Sequence, residues 1–169
     1  MSRLVIALAF FLIVPATSMA GGKKGAPVTV SFHLQGGAGE GNKLVFPFTT
    51  AGQTVYYRKH PEFSSKDVVA FQSFPSEDPS SYGLILQLNK LGRQRLASMS
   101  ASNNGKFLLA MVNGTVRDAV LIDREVNDGL LVIWQRIGAA EVRAADLLMP
   151  RIGEDPRAWK KRLKEQKKK

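Results

Sequence analysis

Val28, Val30, Phe32 and Leu34 alternate with Thr29, Ser31 and His33, the period of a half-buried strand. The glycine-rich stretch 36–42 follows and reads as a mobile loop, after which strand-like pieces at 44–50 and 54–59 are joined across Ala51-Gly52-Gln53. Ser64 or Ser65 is placed to cap a short helical turn through Asp67, Val68 and Val69. A strand over 69–74 leads into turn material, rich in Pro, Ser and Asp, at 75–81.

The pattern is clearest from Tyr82 to Met149. Leu84, Leu86 and Leu88 alternate toward one face of a strand. Asn89 is the expected N-cap of a helix carrying Leu91, Leu96 and Met99 on one side, and Asn104-Gly105 ends it. Strands at 106–112 and 115–121 flank Asn113-Gly114, a hairpin signal because both turn residues take positive φ. Asn127-Asp128-Gly129 turns the chain into a strand at 130–135, and Gly138 opens a helix with Ala140, Ala144, Leu147 and Leu148 at helical spacing, stopped by Pro150. Strand, helix, hairpin, strand, helix predicts an α+β domain: a mainly antiparallel sheet with two helices packed on one face, preceded by extra N-terminal strands.

The two ends change the picture. Residues 4–16 are uncharged and apolar behind Arg3, and Ser18 and Ala20 supply the small residues of a cleavage site, so 1–20 reads as a signal peptide. Thirteen helical residues would span about 20 Å, short of a hydrocarbon layer of about 30 Å. The competing reading is an uncleaved N-terminal membrane anchor, since Lys23 and Lys24 flank the far side. The expected location is outside the cytoplasm, in a periplasm or the extracellular space. The net charge of +10 is uneven: the basic tail 151–169 holds nine Lys/Arg against three acids, leaving only +3 for 21–150. The absence of cysteine removes disulfides, thiolate metal sites and a thiol nucleophile.

One stretch also resembles a known family. Leu88, Gly92, Leu96 and Ser100, then Asn104-Gly105-Lys106, Asn113-Gly114-Thr115-Val116, Ile122, Gly129, Ile133, Glu141, Ala145 and Leu148 follow a recognisable pattern. It is similar to that of the first periplasmic head domain of SecD, a protein-export membrane protein. Tyr56-Tyr57-Arg58-Lys59-His60-Pro61 and residues 64–68 resemble the lead-in to that head. The likeness covers about 54–150. It implies a head-like, ferredoxin-like arrangement at 54–150, with a flexible leader and N-terminal strands at 21–53. The chain departs from the pattern at Val120-Leu121-Ile122 and Gln135-Arg136-Ile137, and the membrane spans and base region of SecD have no counterpart, so a stand-alone exported relative is implied.

Chemistry is sparse. The loop 36–42 fits neither GxGxxG nor a Walker pattern, and a strand rather than a helix follows it. His33 and His60 read as surface histidines. Asp118, Asp123, Glu125 and Asp128 cluster near the second hairpin strand and define the enzyme alternative, a carboxylate- or metal-dependent envelope enzyme with its site there. Arg117 and Arg124 stand ready to neutralise them. The first reading is a non-catalytic interaction module of the bacterial cell envelope, with no cofactor and an unknown envelope protein as partner. Its tail residues Arg157, Trp159, Lys160, Lys161, Arg162, Lys164, Lys167, Lys168 and Lys169 are the expected docking set for an anionic membrane surface or envelope polymer. Trp159 and Leu163 share a helical face there, and a helix this short awaits a contact to order it. The export signal and the lack of clustered aromatics argue against nucleic acid as partner.

Overall fold

A computed structural model describes residues 28–166. The signal peptide and the leader up to residue 27, together with Lys167, Lys168 and Lys169, lie outside the described residues. The chain runs β1 (Val30–Gly36), β2 (Val45–Thr50), β3 (Gln53–Arg58), β4 (Phe63–Ser64), β5 (Val68–Pro75), β6 (Tyr82–Leu88), α1 (Lys90–Ser102), β7 (Phe107–Val112), β8 (Thr115–Leu121), β9 (Leu130–Ile137), α2 (Ala139–Leu148) and α3 (Pro156–Gln166). The α+β class and the mainly antiparallel pairing are as expected. The strands divide between two sheets, one ordered β2-β3-β1-β7-β8 with β4 beside β1, the other β5-β6-β9. The strands numbered before and after residue 54 share the first sheet, because β1 pairs with β3 on one side and β7 on the other.

Local chemistry accounts for the turns. Asn113 (φ 52°) and Gly114 (φ 74°) form the tight turn between β7 and β8, and Ala51 (φ 47°) with Gly52 (φ 77°) does the same between β2 and β3. No helical turn forms at 64–69. Instead Asp67 accepts the backbone N–H of Ser64 at 2.9 Å and closes a turn between β4 and β5. The side chain competes with the backbone for that donor, as Asp does at turns. The loop after β1 contains a 3-10 turn at Ala38–Glu40, whose Glu40 carboxylate accepts the N–H of Gly37 and meets Arg58 at 3.2 Å.

A core shared by both sheets and two helices includes Phe32, Leu34, Phe71, Leu84, Leu86, Leu96, Leu108, Ile133 and Ala145. Helix α1 packs Leu96 and Met99 on the core as expected, with Gly92 and Ser100 also buried, while Leu91 departs from the expectation and is 62% exposed. Asn89 caps it as expected, accepting from the N–H of Gly92 at 2.8 Å. In α2 the buried residue is Ala145, and Leu147 and Leu148 are left exposed. His33 is not at the surface. Its ring meets the carbonyl of Arg58 at 2.8 Å and the Ser31 hydroxyl at 2.9 Å, and Phe46 of β2 packs edge-on against it. Alternation put His33 on the face away from Phe32 correctly, but that face is covered.

Ser100 decides how the segment after β8 sits. Its hydroxyl donates to the carbonyl of Leu96 at 2.7 Å and accepts the N–H of Val126 at 2.8 Å, in a residue 1% exposed. Ser100→Ala leaves the Val126 N–H without that partner, and should lower unfolding free energy by about 1–3 kcal/mol in urea titration. Amide exchange should rise first at Val126 and its neighbours.

Candidate functional site

Two surfaces carry the exposed chemistry. The first lies where the sheets meet. Within the sheets, β8 pairs only with β7 and β9 only with β6, so the two strands run close without a ladder between them. One contact joins them through a side chain: Asp118 accepts the N–H of Trp134 at 2.8 Å, and its other oxygen accepts the N–H of Ala119 at 2.8 Å. Beside this bridge lies a cavity of about 520 Å³. Phe32, Leu96 and Leu108 line its depth, Val120 and Leu121 bring β8 to it, and Leu130, Val132 and Trp134 bring β9. Trp134 is 58% exposed and stands edge-on to Phe74, whose ring lies so close over Gly83 that an added Cβ would come within 2.2 Å of it.

Asp123, Arg124, Glu125 and Asp128 form the rim of this cavity. The enzyme alternative needs these carboxylates to converge with Asp118, and they do not. Asp118 is committed to two backbone donors, Asp128 accepts the N–H of Leu130 at 2.9 Å, and the exposed Asp123 faces Arg124 at 3.9 Å. Among the described residues no group of three His, Cys, Asp or Glu is placed to hold a metal ion. His60 is exposed.

The second surface is the tail. Asp155 caps α3, accepting the N–H of Arg157 at 2.6 Å, and Pro156 occupies a first-turn position where its missing donor costs nothing. The contact that orders α3 comes from the body itself. Trp159 Nε1 donates to the carbonyl of Asp146 in α2 at 3.1 Å, and Arg162 forks onto both oxygens of Glu154 at 3.0 Å each while reaching Asp146 at 3.6 Å. Arg151 makes a matching pair with Asp146 at 3.0 Å. Paired forks of this kind fix orientation as well as attraction. The expected docking set therefore separates: Trp159 and Arg162 face the body half-buried, while Arg157, Lys160, Lys161 and Lys164 are exposed.

The groove at β8 and β9 went unseen in the sequence. Leu130 to Trp134 are five consecutive apolar residues, which reads as a strand covered on both faces. Only the paired sheets show that one face of β9 is left partly open. That run is the signal that could have raised the question.

No family model matches the chain, and no curated protein matches it. Among solved structures it is similar to SecDF, described as a membrane component that enhances protein export, with a TM-score of 0.47 and 14% identity over 72% of this chain and 60% of that one. SecDF in its super-membrane-facing form gives a TM-score of 0.46 and 16% identity over 72% of this chain and 18% of the other. The likeness is one of fold, and the match spans less than two thirds of either SecDF chain.

The tail network predicts a pH response. The Arg162 fork, followed by the Arg151 backbone N–H, holds the Glu154 carboxyl below its ordinary value of 4.5. A depressed carboxylate stabilises the folded arrangement above its ordinary value, and that contribution disappears as pH falls through the lower folded value. In a Trp134→Phe background, Trp159 emission should hold steady from neutral pH to about 4.5 and shift to the red below it. Glu154→Gln should show much of that shift already at neutral pH.

Proposed function

We propose that this chain is an exported, non-catalytic interaction module of the cell envelope. The body holds a protein partner in the groove between β8 and β9, and the basic tail adds electrostatic attachment to an anionic surface. Export rests on the sequence of residues 1–20, and the destination is a periplasm or the extracellular space. Among the described residues no helix is long and apolar enough to cross a membrane.

The observation that carries this reading is the pair of strand edges left without a ladder on either side of an apolar cavity with Trp134 exposed at it. Unpaired strand edges offer main-chain donors and acceptors to an added segment, and apolar positions beside them supply affinity. A half-exposed Trp at a pocket is the residue type that most often anchors a protein contact. The cavity volume falls within the range of built binding sites. Asp128 is tied to the Leu130 N–H, and Asp123, Arg124 and Glu125 stand exposed at the rim, above an apolar depth of Phe32, Leu96 and Leu108.

A photoreactive amino acid placed at Leu121 or Trp134 should crosslink to one discrete envelope protein in living cells. The same group at Leu44, exposed just before β2 at the far edge of the first sheet from β8, should not. Trp134→Ala should reduce the Leu121 crosslink about tenfold or more, as loss of an anchor does. Equal labelling from Leu44 and Leu121 would discard the groove as the contact surface. The joint change Asp123→Ala with Glu125→Ala should leave the crosslink in place. An envelope activity abolished by it in folded protein would instead favour the enzyme reading.

A further inference from the structure

The anchor that holds α3 also sets its rotation. Trp159, Arg162 and Leu163 are turned toward the body, while Arg157, Lys160, Lys161 and Lys164 are exposed. At about 100° per residue, these four cations fall within an arc of about 100° whose centre lies roughly opposite that of the anchoring residues. Over 157–164 they extend along about 10 Å of helix. The acids nearest the anchor are already engaged, Asp146 by Arg151 and both Glu154 oxygens by Arg162, and among the described residues none of the four cations forms an ion pair. Glu165 stands at one flank of the arc and is the carboxylate on α3 itself.

A second observation lies next to it. Leu147 and Leu148 follow directly on Asp146, the residue on which α3 docks, and are 49% and 45% exposed. Arg143, also exposed, precedes Leu147 by one helical turn and shares its face. A dissolved polyanion would be met by the charges alone. Leu147 and Leu148 belong to the helix against which α3 docks, so this corner carries both exposed leucines and exposed cations. A bilayer can take both, charges among headgroups and leucines at the acyl boundary.

We propose that this corner of the molecule docks on an anionic lipid surface, with Arg157, Lys160, Lys161 and Lys164 meeting headgroups and Leu147 and Leu148 entering the layer beneath. This deepens the tail half of the proposed function and is independent of the groove at β8 and β9. The anchoring pair Arg162–Glu154 is a positioning element: it presents the cations as one face.

The test is co-sedimentation of the exported form, residues 21–169, with vesicles of phosphatidylglycerol and phosphatidylcholine in equal parts, against vesicles of phosphatidylcholine alone. Wild type should bind the anionic vesicles and lose binding as salt rises. Each of Arg157→Gln, Lys160→Gln, Lys161→Gln and Lys164→Gln should lower the partition coefficient about fivefold. Leu147→Ser with Leu148→Ser should weaken vesicle binding while leaving binding to soluble polyphosphate unchanged. Trp159 emission in the Trp134→Phe background reports that α3 stays docked in every variant. Equal binding to neutral vesicles, or full binding by the variant lacking all four cations, would overturn the proposal. So would indifference of vesicle binding to the two leucines, which would assign the face to a dissolved polyanion. None of these outcomes alters the Leu121 crosslink, so the two readings fail separately.

Discussion

The bond from the Trp134 N–H to the Asp118 carboxylate, 2.8 Å long, stands where a β ladder would otherwise have joined the two sheets. A backbone donor on a strand normally finds its acceptor on a neighbouring strand. Here a side chain supplies it. The side chain reaches across from β8, the strands approach without merging, and the cavity lies beside the bridge. The groove beside this bond reaches the common core at Phe32, Leu96 and Leu108.

The segment from Ile122 to Gly129 has to be held apart for that opening to persist. Ser100 does so from below through the Val126 N–H, and Asn104 from α1's end donates to the carbonyl of Asp123 at 3.1 Å. Arg93 reaches the carbonyl of Asn127 at 2.7 Å. Helix α1 and the residues just after it therefore grip the rim by its main chain, and the rim's carboxylates are left pointing at solvent or at local backbone. This explains why an acidic cluster in sequence does not become an acidic site in space.

The tail follows a different logic. Its charge is large, but the charges are sorted by partner. Arg151 and Arg162 take the bidentate pairs with Asp146 and Glu154, for which a planar guanidinium is suited, and Arg157, Lys160, Lys161 and Lys164 remain outside. A helix of this length has little stability alone, so the Trp159 contact and these pairs convert a run of basic residues into an oriented face. Burial in that anchor is partial, and the ordering depends on ionised acids, which makes the face sensitive to low pH.

The local elements were legible in the residues because their causes are local. Asn113-Gly114 dictates its own turn, Asn89 caps its own helix, and alternation at Leu84, Leu86 and Leu88 places one strand face inward. The α+β class follows from the order of such elements. What alternation cannot report is what covers each face: His33 reads as outward and is buried by Phe46, while Leu147, Leu148 and Leu91 read as inward and are exposed. Strand partnership is likewise a long-range matter, since β1 finds β7 across more than seventy residues and β9 pairs with β6 instead of β8. Residue chemistry alone thus determined the Asn113-Gly114 turn, the Asn89 cap, the strand phases and the uneven charge, but not the turn at Asp67. Tertiary structure decided which edges stay open and which cations face out, because burial and pairing depend on surfaces that meet only after the chain has closed on itself.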